Sequence, residues 1–175
     1  MNDGKRALVV IDMLNDFLDP EGTLSLGEAG RAIIPRVSEL VEEARSRGDL
    51  IVFVRDRHLP EDPEFAMFPP HCVSGSEGAE IITELQPAGG EAVVDKRRYS
   101  AFYATELDLL LRENKIWDIE LCGVCTNICV LYTAASARNR AYRVYVHRDA
   151  VAGTAPGAHE WALSEMENTL GCEII

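Results

Sequence analysis

Short runs of Val, Ile and Leu recur along the chain with amphipathic stretches between them, and this alternation limits the fold more than any other feature. The runs occupy residues 7–11 (ALVVI), 50–54 (LIVFV), 92–94 (AVV), 116–122 and 142–147 (YRVYVH), with a short last one at 173–175. Continuous apolar runs of this length suit strands covered on both faces, as in a parallel sheet. Between them, residues 29–47 carry Ile33, Val37, Leu40, Val41 and Ala44 on one helical stripe, and Gly48 supplies a stop. Residues 105–113, 127–140 and 158–170 read as further helices. Alternation of this kind predicts an α/β fold with right-handed crossovers and helices on both faces of the sheet. Residues 57–90 depart from it: they are rich in Pro and Gly, with one short helical stretch near 79–85. Loops that long in compact domains are usually functional. With 175 residues and neither repeat nor linker, one domain over 1–175 is expected.

Charge narrows the partners. A formal net charge of -12 argues against nucleic acid, because phosphate binding needs clustered Lys and Arg, and it equally disfavours an anionic membrane surface. No apolar run approaches the ~20 residues of a membrane helix, and no targeting segment is read at the start of the chain. Five cysteines at positions 72, 122, 125, 129 and 172 are odd in number and irregular in spacing, a poor disulfide framework. A reducing, cytoplasmic setting is the expectation.

In open parallel sheets, ligands bind beyond the carboxyl ends of the strands. Those ends carry Asp12 after the first run, Asp56 and His58 after the second, Lys96 after the third, and the turn from Gly123 to Cys129 after the fourth. Every chemically able group thus falls on one edge. Thr126 is a good helix N-cap type, which places Cys129 in a first helical turn where free N–H groups and the helix dipole favour a thiolate. Such a turn also offers N–H groups to an oxyanion. Each residue has a plainer reading: buried apolar Cys, a turn Asp, a solvated Lys96-Arg97-Arg98 cluster. Together, a thiol, a carboxylate to take its proton and an ammonium to orient that carboxylate form the logic of covalent catalysis. Asp56-x-His58, with His71 further along and Glu64 between, offers ligands for zinc or iron, or else exposed loop polar groups. His147 and His159 read as surface or strand-end residues.

ALVVIDMLNDF, RDRH, FPPHCVSGSEGAE, DKRRYSAF and GVCTNICV stand in this order along the chain. In order and spacing these blocks resemble the isochorismatase-like cysteine hydrolases, and within them the nicotinamidases. The resemblance implies a three-layer α/β fold with a six-stranded parallel sheet, and a catalytic triad of Asp12, Lys96 and Cys129. It also implies a cis peptide between Val124 and Cys125, with the Cys125 and Cys129 amides forming an oxyanion hole. A divalent metal is implied at Asp56, His58 and His71, with Glu64 as an added carboxylate; zinc is the first choice, iron or manganese the alternatives. The implied reaction is hydrolysis of nicotinamide to nicotinate and ammonia through a Cys129 thioester. Phe17 and Phe68 are expected to sandwich the ring, and Tyr103 to line the pocket, with Phe102 either pocket wall or core. Related hydrolases of isochorismate, carbamoyl or ureido compounds, or a silent scaffold of the same fold, are the alternatives. A homodimer or homotetramer is expected. Three departures from the nicotinamidase pattern stand out: Phe68 where Trp is frequent, Cys125 where Ala is usual, and Asn127 where Asp is usual.

Overall fold

The computed structural model describes residues 5–175. Its sheet has six parallel strands: β1 (Arg6–Ile11), β2 (Leu50–Asp56), β3 (Ala92–Lys96), β4 (Asp118–Val124), β5 (Arg143–Ala152) and β6 (Glu173–Ile174), in spatial order β3-β2-β1-β4-β5-β6. The helices are α1 (Asn15–Leu18), α2 (Gly27–Ala32), α3 (Ile34–Arg47), α4 (Leu107–Glu113), α5 (Leu131–Arg138) and α6 (Pro156–Asn168). Alternation along β1 sets the two faces. Ala7, Val9 and Ile11 join a core closed by α4, α5 and α6, while Leu8 and Val10 join a second core closed by α1, α2 and α3. Two covered faces are why the strands read as unbroken apolar runs.

The stripe expected over 29–47 is two helices. Pro35 has no N–H to bond back to the preceding turn, so α3 restarts with Pro35 near its first position, and Gly48 closes it at φ 70°. The helical stretch expected near 79–85 is instead two 3₁₀ turns, Glu77–Ala79 and Thr83–Leu85, separated by Ile81, which bridges to Leu14. Among the described residues no helix is long and apolar enough to cross a membrane.

At the sheet edge away from the candidate site, Glu120 accepts hydrogen bonds from Arg6 at 2.8 Å and His147 at 2.9 Å. His147 is therefore a buried strand residue with a carboxylate partner, not a surface one. The His147 contact, with help from Arg6, lowers the Glu120 carboxyl from 4.5 to about 2. A carboxylate with a depressed folded pKa stabilises the fold above its unfolded pKa and loses that effect as pH falls. Glu120→Gln should remove about 2 kcal/mol at pH 7 and almost nothing at pH 2, so the stability gap between the two proteins closes between those limits. Urea melts at a series of pH values check this.

Candidate active site

Strand order places β1 and β4 side by side at the point where the chain reverses its direction of winding. Crevices form at such points beyond the strand ends. Asp12 follows β1 directly, with φ +52° and its N–H bonded to Val54 O at 2.9 Å. Asp tolerates this left-handed conformation better than most residues. Across from it, Gly123 has φ +110°, and a Cβ there would lie 2.0 Å from the Ile11 carbonyl oxygen, so only glycine lets β4 approach β1 this closely. Asp56 and Lys96 end β2 and β3 and are register partners. After β4 comes the cis peptide Val124–Cys125, as the resemblance implies.

Cys129 lies in a π-type turn, Thr126–Val130, in which the Val130 N–H bonds to Cys125 O at 3.1 Å. This corrects the expectation of a simple α-helical first turn capped by Thr126. Cys125 occupies the capping position, and the Thr126 hydroxyl is instead 3.0 Å from Nδ1 of His159 on α6. His159 thus supports the turn that carries Cys129. On the turn's outer side Asn127 and Thr154 exchange two hydrogen bonds of 3.0 Å.

Lys96 Nζ is the hub. It lies 2.8 Å from Asp12 Oδ2 and 3.1 Å from Asp56 Oδ1, and donates to Cys129 Sγ at 3.4 Å, with all these side chains buried. Neither Asp12 oxygen has a hydrogen bond of good geometry, so charge holds the pair and Asp12 keeps capacity to accept a proton. Burial lifts the Asp12 carboxyl to about 6 against the pull of Lys96. Burial opposes the charge on Lys96, but Asp12 and Asp56 outweigh it and raise the ammonium well above its usual range. Burial also pushes the Cys129 thiol well above 9, with Lys96 opposing. Desolvation therefore outweighs the helix-end effect expected from sequence and favours the neutral thiol.

Beside this trio, His58 Nε2 and His71 Nε2 lie 3.1 and 3.6 Å from Asp56 Oδ2. Nδ1–H of His71 faces Pro69 O at 2.8 Å, leaving its Nε2 lone pair directed at the same point. Asp56, His58 and His71 have ligand atoms close enough to share one ion, and Glu64 is buried at its side. Asp12, Asp56, Asp62 and Glu64 supply four buried carboxylates against two cations, Lys96 and Arg98. Four minus two leaves two negative charges, the complement of a divalent ion, and Asp56 Oδ1 has no well-aligned donor. Nitrogen and carboxylate donors in this set fit zinc, iron or manganese.

A cavity of about 340 Å³ opens onto both groups, with Phe17, Phe68, Tyr99, Ile128, Cys125 and Cys129 in its wall. Phe17 and Phe68 both line it, with ring centroids 5.9 and 6.1 Å from that of His71. Tyr103 does not: it is 65% exposed and faces a separate surface hollow beside Leu59 and Arg97. Phe102 is core, packed 5.7 Å from Tyr142. The aromatic residue after β3 that reaches the cavity is Tyr99, which the sequence reading passed over. Asp62 was missed as well, although Asp followed by Pro63 is a recognisable turn start. The carboxylates in the cavity wall, among the described residues, are Asp56 and Glu64, beside the His71 imidazole, and the wall holds no Lys or Arg.

The isochorismatase domain model matches residues 6–175. The isochorismatase family protein PncA of Bacillus subtilis is 41% identical over 97% of this chain and 98% of its own. The crystal structure of nicotinamidase/pyrazinamidase PncA from Bacillus subtilis superposes with a TM-score of 0.93 at 40% identity, covering 97% of this chain and 98% of that one. A pyrazinamidase of Pyrococcus horikoshii in complex with zinc gives 0.91 at 36% identity over 98% of both chains. An N-carbamoylsarcosine amidase from Thermoplasma acidophilum gives 0.89 at 36% identity, covering 97% of this chain and 95% of that one. The family model spans nearly the whole chain and the fold superposes closely, and the chain belongs to the isochorismatase family of hydrolases.

Proposed function

We propose that the protein is a metal-dependent cysteine amidohydrolase that converts nicotinamide to nicotinate and ammonia. The observation that carries this reading is the cavity wall: aromatic and apolar, without Lys or Arg, and with Asp56 and Glu64 as its carboxylates. Isochorismate and N-carbamoylsarcosine both carry carboxylates, for which the wall offers no Lys or Arg partner, whereas nicotinamide is neutral and flat. Phe17 and Phe68 offer faces and edges for its ring. Asp56, His58, His71 and Glu64 would hold a divalent ion, which would supply a Lewis acid for the pyridine nitrogen lone pair.

Chemistry then runs through the buried trio. Asp12 accepts the Cys129 proton as Sγ bonds to the amide carbon, and the Cys125 and Cys129 N–H groups receive the oxyanion. Each such donor is typically worth ~3 kcal/mol. Collapse breaks the C–N bond, and Asp12 passes the proton to the departing nitrogen, which leaves as ammonia. Water then attacks the thioester, Asp12 takes one of its protons and returns it to sulfur as the C–S bond breaks, and the acid leaves and releases its remaining proton to solvent as nicotinate. Lys96 keeps Asp12 oriented and ionised near neutral pH.

Ammonia release from a panel of nicotinamide, pyrazinamide and N-carbamoylsarcosine by zinc-loaded protein tests the substrate. Nicotinamide should exceed the carbamoyl compound in kcat/KM by at least 100-fold, the scale expected when a site offers a substrate carboxylate no cationic side chain and leaves it desolvated without a partner. The reverse order would sink the nicotinamidase reading and leave a ureido or carbamoyl amidase.

A further inference from the structure

We infer that Asp62, gripped by Arg98, is a positioning residue for the metal centre, holding the His58 ring with its proton on Nδ1 so that Nε2 stays open to the ion. The inference rests on the metal reading above and extends it to a residue outside the set Asp56, His58, His71 and Glu64.

Asp62 has a side chain only 2% exposed, and its oxygens have distinct tasks. Oδ1 accepts from the Glu64 N–H at 3.0 Å and from Arg98 at 3.0 Å. Oδ2 lies 3.2 Å from Nδ1 of His58 and 3.2 Å from Arg98. The approach to His58 is close but oblique. On the other side of the same ring, Nε2 faces Asp56. A neutral imidazole carries one proton, so the nitrogen that faces an acceptor-only group outside the ion site decides which nitrogen can ligate. Asp62 is such a group.

The same carboxylate starts the short turn Pro63–Ala66, which brings Glu64 to the cavity and sets Phe65 edge-on to His58 at 5.3 Å and to His71 at 5.7 Å. One buried residue therefore orients an imidazole ligand and the backbone of the adjacent carboxylate. His58, Asp62 and Glu64 could be read as a second ion site. Arg98 argues otherwise: its guanidinium lies 3.0 Å from Asp62 and 3.8 Å from Glu64 and already supplies the cation there.

Asp62→Asn separates positioning from packing. The amide keeps the volume and the turn-starting role, but Glu64 N–H and Arg98 pin its oxygen at the Oδ1 position, which turns its NH₂ toward His58. That NH₂ donates to Nδ1, drives the ring proton to Nε2 and blocks the ligand lone pair. Zinc affinity, measured by competition with a chromophoric chelator, should fall about 10–100-fold, the usual effect of losing an outer-shell partner. The visible absorption of the cobalt(II)-loaded protein should change with it. Arg98→Gln, at a side chain 41% exposed and so safe for folding, should weaken zinc by a smaller factor of roughly 3–10. Wild-type zinc affinity and an unchanged cobalt spectrum in Asp62→Asn would overturn the inference alone; if Asp62→Asn does not fold, unchanged affinity in Arg98→Gln does so. A wild-type protein that binds neither metal overturns the metal reading and this inference with it.

Discussion

Cys129→Ala is expected to reduce kcat for nicotinamide hydrolysis by about 10⁴-fold or more, the scale seen when a covalent nucleophile is removed. The sulfur receives the Lys96 hydrogen bond at 3.4 Å, faces the cavity, and sits in a turn fixed from several sides. Loss of one buried sulfur should cost only about 1 kcal/mol of stability, so the melting transition stays close to wild type. Folded but inactive protein is the outcome that identifies a nucleophile. Cys125→Ala is the internal control: it keeps the backbone N–H and removes only a thiol that burial lifts to about 12, so activity should remain within about 10-fold.

Lys96→Met is the second large effect, and it acts on stability and pH dependence together. The substitution keeps the length of a side chain whose Nζ lies between Asp12 and Asp56, but leaves two buried carboxylates without their ammonium. Breaking a buried pair in this way costs about 3–5 kcal/mol, or a melting point lower by roughly 10 °C for a chain of this size. The pH profile distinguishes electrostatics from packing. Asp12 must be ionised to take the thiol proton, so wild-type kcat/KM should be present above, and lost as pH falls through, about 6. Without Lys96 the burial effect on Asp12 is unopposed, and the acid limb should move up by about one unit or more. A lower melting point with an unmoved limb would assign Lys96 to structure alone.

Much of the fold could be read from the chain because a parallel sheet covered on both faces forces the same signature on every central strand. Leu8 and Val10 need one core while Val9 and Ile11 need the other, so no polar residue interrupts β1. Legibility failed where a local rule yielded to tertiary contacts. Exposed Arg148 and Asp149 interrupt the apolar pattern of β5, yet pairing of Val151 and Ala152 with the end of β4 extends the strand past an irregularity. The grouping of Asp12, Lys96 and Cys129 was legible because Asp12 follows β1, Lys96 ends β3 and Cys129 lies in the turn after β4, so the strand ends alone bring them to one edge. Pocket walls are harder: Tyr99 and Tyr103 differ by four residues, and only the path of the loop after Lys96 decides which reaches the cavity. Asp62 was invisible as a site residue because its role depends on His58, four residues earlier, and on Arg98 arriving from the end of another strand.

The thioester on Cys129 can be tested by partitioning. Zinc-loaded enzyme turning over nicotinamide is given increasing hydroxylamine, and ammonia, nicotinate and nicotinohydroxamate are measured together. Ammonia leaves when the acyl-enzyme forms, before any acceptor enters, so the expected result is hydroxamate replacing nicotinate in rising proportion. Sustained ammonia release with nicotinate as the only acid-derived product at every hydroxylamine concentration would contradict the thioester and point to direct attack by water.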